Sequence, residues 1–325
     1  MMRQQWMCAY AARGGLMVAI YLVFAVTLPS YHRVAGVASL LDGAFLTGVI
    51  AMGVGLTMIA GEMDLSVGSM AAVAGVLSIR LEGLGIVPAI ILTTMAAALI
   101  GGIQGWCIAR LRISSLIFTV GTLMAFRGFA LIVAGEQTVN IPIADLDATD
   151  FLSRHWLFFS PLSVSLFMIA LLIYLFSRVT IWGREIYAIG GGRAEARAAG
   201  VPVGRPMIIA FAISAGLAGY AGAVMSLQAD SATPLGYEAV LLDAVTVCLI
   251  GGTALRGGEG GVPGILIGLF ILRFLISGIA SLGAPFWAQS LASGVLLISL
   301  ILVEGGYAIM VRRRAFAVRS VAGGR

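Results

Sequence analysis

Glu62 and Asp64 stand two residues apart in GLTMIAGEMDLSVGSMAAVAGVL (55–77), between apolar runs that otherwise avoid charge. An ionised carboxylate at the centre of a bilayer costs about 3 kcal/mol on insertion scales. Each therefore needs a partner, a helix end to cap, or a place outside the hydrocarbon. Work as a general acid–base pair requires a solvated cleft with acids from separate elements, and nothing else in the chain builds one. An aspartyl intramembrane hydrolase would share a proton between Asp64 and Asp243, but DLSVG and LLDAVTV carry neither the YD nor the GxGD pattern of that class. An ion-coupled secondary transporter would use Glu62 or Asp64 as its titrating group. Asp64, followed by Leu65, Ser66 and an apolar run, reads as the cap of a helix that starts after a break. Glu62 has no such duty and is open to water, to an arginine, or to a solute.

Arg127 in GTLMAFRGFALIV and Arg273 in LFILRFLISG lie within apolar runs. Such arginines face a bundle interior or snorkel to the interface. Arg127 beside Gly128 suggests close packing with a hydrogen-bonded partner, and Glu238 and Asp243 are the candidate acids. All 20 basic residues are arginine. Without lysine there is no GxxxxGK[ST] phosphate loop and no Schiff-base or lysine-nucleophile chemistry, so any ATP must be hydrolysed on another chain. Cys8, Cys107 and Cys248 are isolated, and His32 and His155 are far apart. Neither a metal site nor a disulfide framework is suggested.

The elements that position these residues are apolar helices. The chain of 325 residues is 60% hydrophobic and 11% charged, against about 25% charged in soluble domains. It reads as a single all-α polytopic membrane domain over 1–325. With about 20 apolar residues per span, ten spans emerge: 14–30, 38–60, 65–80, 86–109, 114–134, 157–177, 207–227, 238–255, 262–281 and 288–310. The third is short. The first run ends in LPSYHR rather than a small-x-small cleavage site, so it reads as a retained helix. An N-terminus inside puts fifteen arginines in inside segments and only Arg33, Arg80 and Arg154 outside. That asymmetry places both termini in the cytoplasm. VPAIIL from Val87 with LIGGI from Leu99 parallels VPGILI from Val262 with LISGI from Leu275. An offset of five spans reverses direction, so spans 2–5 and 7–10 form an inverted repeat of the kind transporters use.

Two loops are long. The outer one (135–156) carries Glu136, Asp145, Asp147 and Asp150, an acidic surface or a plain solvated loop. The inner one (178–206) contains Arg193-Ala194-Glu195-Ala196-Arg197-Ala198-Ala199, a strong helix former, between Gly190–Gly192 and Gly200 with Pro202. A short charged helix between two spans suits docking onto another protein; the alternative is contact with anionic lipid. LIGGTALRGGEGGVPG (249–264) has too little chemistry for a phosphate cradle and reads as a closely packed inner turn.

GLTMIAGEMDLSVGS (55–69), GTLMAFRGFALI (121–132), GREIYAIGGGRAEARAAGVPVGR (183–205) and LIGGTALRGGEGGVPGILIG (249–268) together resemble the permease subunits of bacterial ATP-binding-cassette importers for ribose, galactose, xylose and a sugar-like autoinducer. The resemblance spans about residues 40–305. It implies an inner-membrane permease of about ten helices that is not itself an enzyme and imports a sugar or sugar-like solute by alternating access. It further implies a second permease copy or paralogue, a periplasmic sugar-binding protein outside, and a cytoplasmic ATPase that holds the ATP and magnesium. Coupling to the ATPase would fall to Gly183, Arg184, Glu185, Arg193, Glu195, Arg197 and Gly200. Glu62, Asp64, Ser66, Arg127 and Asp243 would serve the solute pathway or its architecture. This chain departs from the pattern where such permeases commonly read GGIDLSVG, placing Glu62 at a glycine. It also separates Glu238 from Asp243 where they place Glu-Leu-Asp together.

Overall fold

The structure, a computed structural model, describes residues 2–29, 31–142, 149–299 and 301–302. Thirteen α-helices follow one another: α1 (Met2–Thr27), α2 (Val34–Ile59), α3 (Val67–Arg80), α4 (Ile86–Leu111), α5 (Ser115–Ala134), α6 (Asp150–Ser153), α7 (Pro161–Val179), α8 (Ile181–Gly191), α9 (Arg193–Ala198), α10 (Gly204–Gln228), α11 (Val240–Ile250), α12 (Val262–Ser281) and α13 (Phe286–Ser299). Seven are long and apolar enough to cross a membrane; α3, α11 and α13 are apolar but shorter. These ten follow the ten spans read from the sequence. The acidic residues Asp145 and Asp147, and the C-terminal arginines from Arg312 onward, lie outside the described residues.

Glycine and alanine set the packing. Without a hydrophobic drive between helices in lipid, close backbone approach supplies the attraction. On the face shared by α4 and α10, a methyl on Gly101 would sit 2.4 Å from the Phe211 carbonyl oxygen, and one on Gly105 2.9 Å from that of Met207. Where α3 meets α10, a methyl on Gly222 would lie 2.0 Å from the Ala71 carbonyl oxygen. Helix α10 is thereby the hub, flanked by α2, α3 and α4. Helix α5 is its opposite: only Ser115, Thr119, Ala130 and Ala134 are buried. Gly121 and Gly128 face open space, so the close packing expected beside Arg127 is not made within this chain.

The two short helices α3 and α11 occupy the places the inverted repeat pairs. At 1.5 Å per residue they reach about 21 and 17 Å, short of the roughly 30 Å hydrocarbon core. The first turn of α3 packs against the approach to α11, because Gly68 has no side chain where the Tyr237 carbonyl oxygen would stand 2.8 Å from a Cβ. The eighth span is shorter than 238–255: α11 starts at Val240 and ends at Ile250, and 251–255 belong to the glycine-rich turn.

At one end of the bundle β1 (Val139–Asn140) pairs antiparallel with β2 (Ser231–Ala232). This ribbon gives the 135–156 loop an order not expected from its sequence, and α6 is a small helix within that loop. At the other end lie the 60–66 segment, α8, α9 and the 251–261 turn. The corner from α7 to α8 is tight: Thr180 Oγ1 accepts from the Gly183 N–H at 3.0 Å. Helix α8 went unread because its glycines looked like breakers, but Gly190 lies where a Cβ would be 1.7 Å from the Ile59 carbonyl oxygen. The 251–261 turn closes the same junction. Gly258 N–H donates to that carbonyl at 2.9 Å, and a Cβ on Gly257 would be 2.7 Å from Gly61 Cα. Three loops thus meet backbone to backbone.

Candidate functional site

The chain leaves α2 at Ala60, turns through Gly61 with φ +77°, and runs without regular structure to Ser66 before α3 begins. An interrupted helix leaves backbone groups unpaired, and inside a bundle they need protein partners. Side chains of α5 and of the segment itself supply them, and α4 and α10 hold its side chains. Met63 N–H donates to Ser115 Oγ at 3.4 Å, and its carbonyl accepts from Thr119 Oγ1 at 3.3 Å. Asp64 Oδ1 accepts from the Ser66 N–H at 3.0 Å and from the Ser66 hydroxyl at 2.7 Å. Its Oδ2 accepts from Ser214 Oγ of α10 at 2.9 Å. Gln104 Nε2 of α4 donates to Ser66 Oγ at 3.3 Å and to Thr122 Oγ1 of α5 at 2.7 Å.

Asp64 is fully buried, but it is not the cap expected of it. Ser66 holds the N-cap position of α3, two residues later. The carboxylate instead folds the approach by gripping the backbone and hydroxyl of Ser66, and it anchors that turn to α10. Both its oxygens accept hydrogen bonds from the protein.

Glu62, only 9% exposed, forms an ion pair with Arg193 at the first residue of α9. The two residues were singled out separately, one for the pathway and one for coupling, and the structure joins them across 131 positions. Around the pair opens a cavity of 680 Å³ lined by residues 60–63, 112–116, 189–193 and 255–256. Arg112 and Arg256 stand on its wall with Arg193, so three guanidinium groups and one carboxylate face it.

The other coupling candidates share this end. Arg184 donates to the Val179 carbonyl at 3.1 Å. Gly183 fills the α7–α8 corner, where a Cβ would meet the Phe176 carbonyl oxygen at 2.4 Å. One Glu185 oxygen is buried without a hydrogen-bond partner. Glu195 and Arg197 are exposed on α9, whose sole buried residue is Ala196. Gly200 ends that helix in the left-handed region at φ +80°. Tyr187 of α8 donates to the Gly260 carbonyl at 3.0 Å. Burial pushes its phenol above the ordinary value, against the lowering field of Arg178, so the hydroxyl stays a donor.

The structure keeps the remaining candidates apart from this cluster. Arg127 pairs with Glu238 at 2.9 Å, both about half exposed, linking α5 to the approach of α11. Asp243 shares a 340 Å³ cavity with Arg273 between α11, α12 and α13. Arg273 does not snorkel: its guanidinium lies over Gly43 of α2, where a Cβ would collide with it. Gln104, Ser115, Thr119, Thr122 and Ser214 were missed in the sequence. All are uncharged polar residues in apolar helices, three of them on α5, and only their convergence around 62–66 marks them.

Residues 36–303 match the family described as the permease component of the branched-chain amino acid transport system. The chain is 28% identical to the ribose import permease protein RbsC of Escherichia coli (strain K12), covering 92% of this chain and 94% of that protein. It is 29% identical to RbsC of Bacillus subtilis (strain 168), covering 89% and 90% respectively. It is also 29% identical to the xylose transport system permease protein XylH of Escherichia coli (strain K12), covering 87% and 88%. No solved structure matches the chain.

Proposed function

The chain belongs to this family of transport-system permease components, and from that membership we propose that it is the membrane-spanning subunit of an ATP-driven importer of a sugar or sugar-like solute. As a family member it is a transport component rather than an enzyme. The proposal extends to its setting: a bacterial inner membrane with both termini cytoplasmic, a second permease copy or paralogue, a periplasmic sugar-binding protein, and a separate ATPase that carries ATP and magnesium.

The observation that carries this reading is the pair of short apolar helices α3 and α11, with the first turn of α3 packed against Tyr237 on the approach to α11. Broken apolar helices are tolerated where they line a path or a site. A charged two-helix segment at one end, with Arg193, Glu195 and Arg197 on an almost wholly exposed α9, supplies the surface an ATPase would push. Alternating access then follows from α8 and α9 moving against the bundle. The permease itself needs only weak affinity, because the binding protein delivers the solute.

Co-purification from native membranes, followed by reconstitution in proteoliposomes, tests this. Uptake should require ATP together with the co-purified ATPase and binding protein. Charge reversal at both Arg193 and Arg197 should leave ATP hydrolysis running while uptake is lost. Gradient-driven uptake by the chain alone would overturn the importer reading, and wild-type uptake in the double variant would overturn the coupling role of α9.

A further inference from the structure

Five residues between α2 and α3 touch four other elements. Glu62 holds Arg193 of α9, Met63 is bonded through both backbone groups to Ser115 and Thr119 of α5, and Asp64 holds Ser214 of α10. Ser66 accepts from Gln104 of α4, whose amide nitrogen also reaches Thr122 of α5. The two elements at the ends of this chain of bonds bury few residues elsewhere. Helix α9 buries one residue, and α5 buries four. Two bonds join α5 to 62–66 directly, through Ser115 and Thr119, and Thr122 joins it indirectly through Gln104.

We infer that Glu62 is a positioning residue that ties α9 to α5 through the 62–66 segment, so that a displacement of α9 is delivered to α5. A nearly buried carboxylate is strongly disfavoured without its cation, so the pair stays together as α9 moves. The 62–66 segment, bonded directly to α5 at Met63 and through Gln104 at Ser66, carries the pull without a helix bending. The consequence for coupling rests on the importer reading; the physical link does not.

The test uses the full chain in nanodiscs with Cys8 and Cys107 replaced by serine, Cys248 being buried. Spin labels are placed at the exposed positions Ala198→Cys on α9 and Met124→Cys on α5, and their separation is measured by double electron–electron resonance. Glu62→Gln and Arg193→Gln, both close in shape to the native residues, should each broaden the distance distribution. The double variant should broaden it no further, since both remove one interaction. The exchange Glu62→Arg with Arg193→Glu should narrow it again. Distributions in the single variants as narrow as in the parent would overturn the link, as would additive broadening in the double variant. In the reconstituted importer, Glu62→Gln should lower uptake per ATP by about fivefold or more, and the charge exchange should recover it. Unchanged uptake per ATP in Glu62→Gln, with ATP-dependent uptake in the parent, would show that the link does not couple. Failure of the parent to require ATP would instead strike the importer reading, while the label distances still decide the link.

Discussion

Asp64 shows what a single buried carboxylate can hold. It accepts the Ser66 N–H, the Ser66 hydroxyl and the Ser214 hydroxyl. Asp64→Ala strands those three donors, and each stranded buried group costs about 1–3 kcal/mol. Ser214→Ala removes a donor and leaves the carboxylate two others, so it should cost about 1 kcal/mol. Thermal unfolding in detergent should therefore show a large drop for Asp64→Ala and a small one for Ser214→Ala; equal drops would contradict this division. The sequence placed Asp64 correctly at a break but gave it the wrong bonds, because a cap and a turn two residues before the cap read alike. It could not join Glu62 to Arg193, since no local pattern encodes a contact over 131 positions. Nor could it choose between Glu238 and Asp243 as partner for Arg127, which the fold settles in favour of Glu238.

Among the elements, the ten apolar helices were legible because length and hydropathy alone define them. Helix α8 was not, since glycine's meaning depends on what stands opposite. Gly101 and Gly102 make the same point as neighbours on α4. A methyl on Gly101 collides with the Phe211 carbonyl at 2.4 Å, whereas one on Gly102 meets the Ala212 Cβ at an ordinary 3.8 Å. Gly101→Ala should destabilise by about 1–3 kcal/mol through overpacking. Gly102→Ala should be neutral or stabilising, given the helix preference for alanine of about 1 kcal/mol. Melting temperatures that fall equally in both would show that α4 and α10 are farther apart than described. The half-helices were half legible: the third span read short in the sequence, but the eighth was carried on to 255, because LIGGTAL stays largely apolar through the turn that ends α11.

At the scale of the whole molecule, the arginine asymmetry and the fold agree on which loops share an end. The 60–66, 180–203 and 251–261 segments lie together, and the β1–β2 ribbon and α6 lie opposite. Single cysteines at Arg154 and Ala198 should then react with an impermeant thiol reagent from opposite faces of the membrane, Arg154→Cys in intact spheroplasts and Ala198→Cys only in inverted vesicles. Labelling of both from one face would break the topology. The junction of Gly61, Gly190 and Gly257 has a consequence for genetics. Its three walls are encoded far apart, yet Gly190 and Gly257 have no room for a side chain and Gly61 holds a left-handed backbone that a side chain would strain. An unbiased screen for loss of transport should return three hot spots that look unrelated along the gene, and intragenic suppressors of any of them should be scarce.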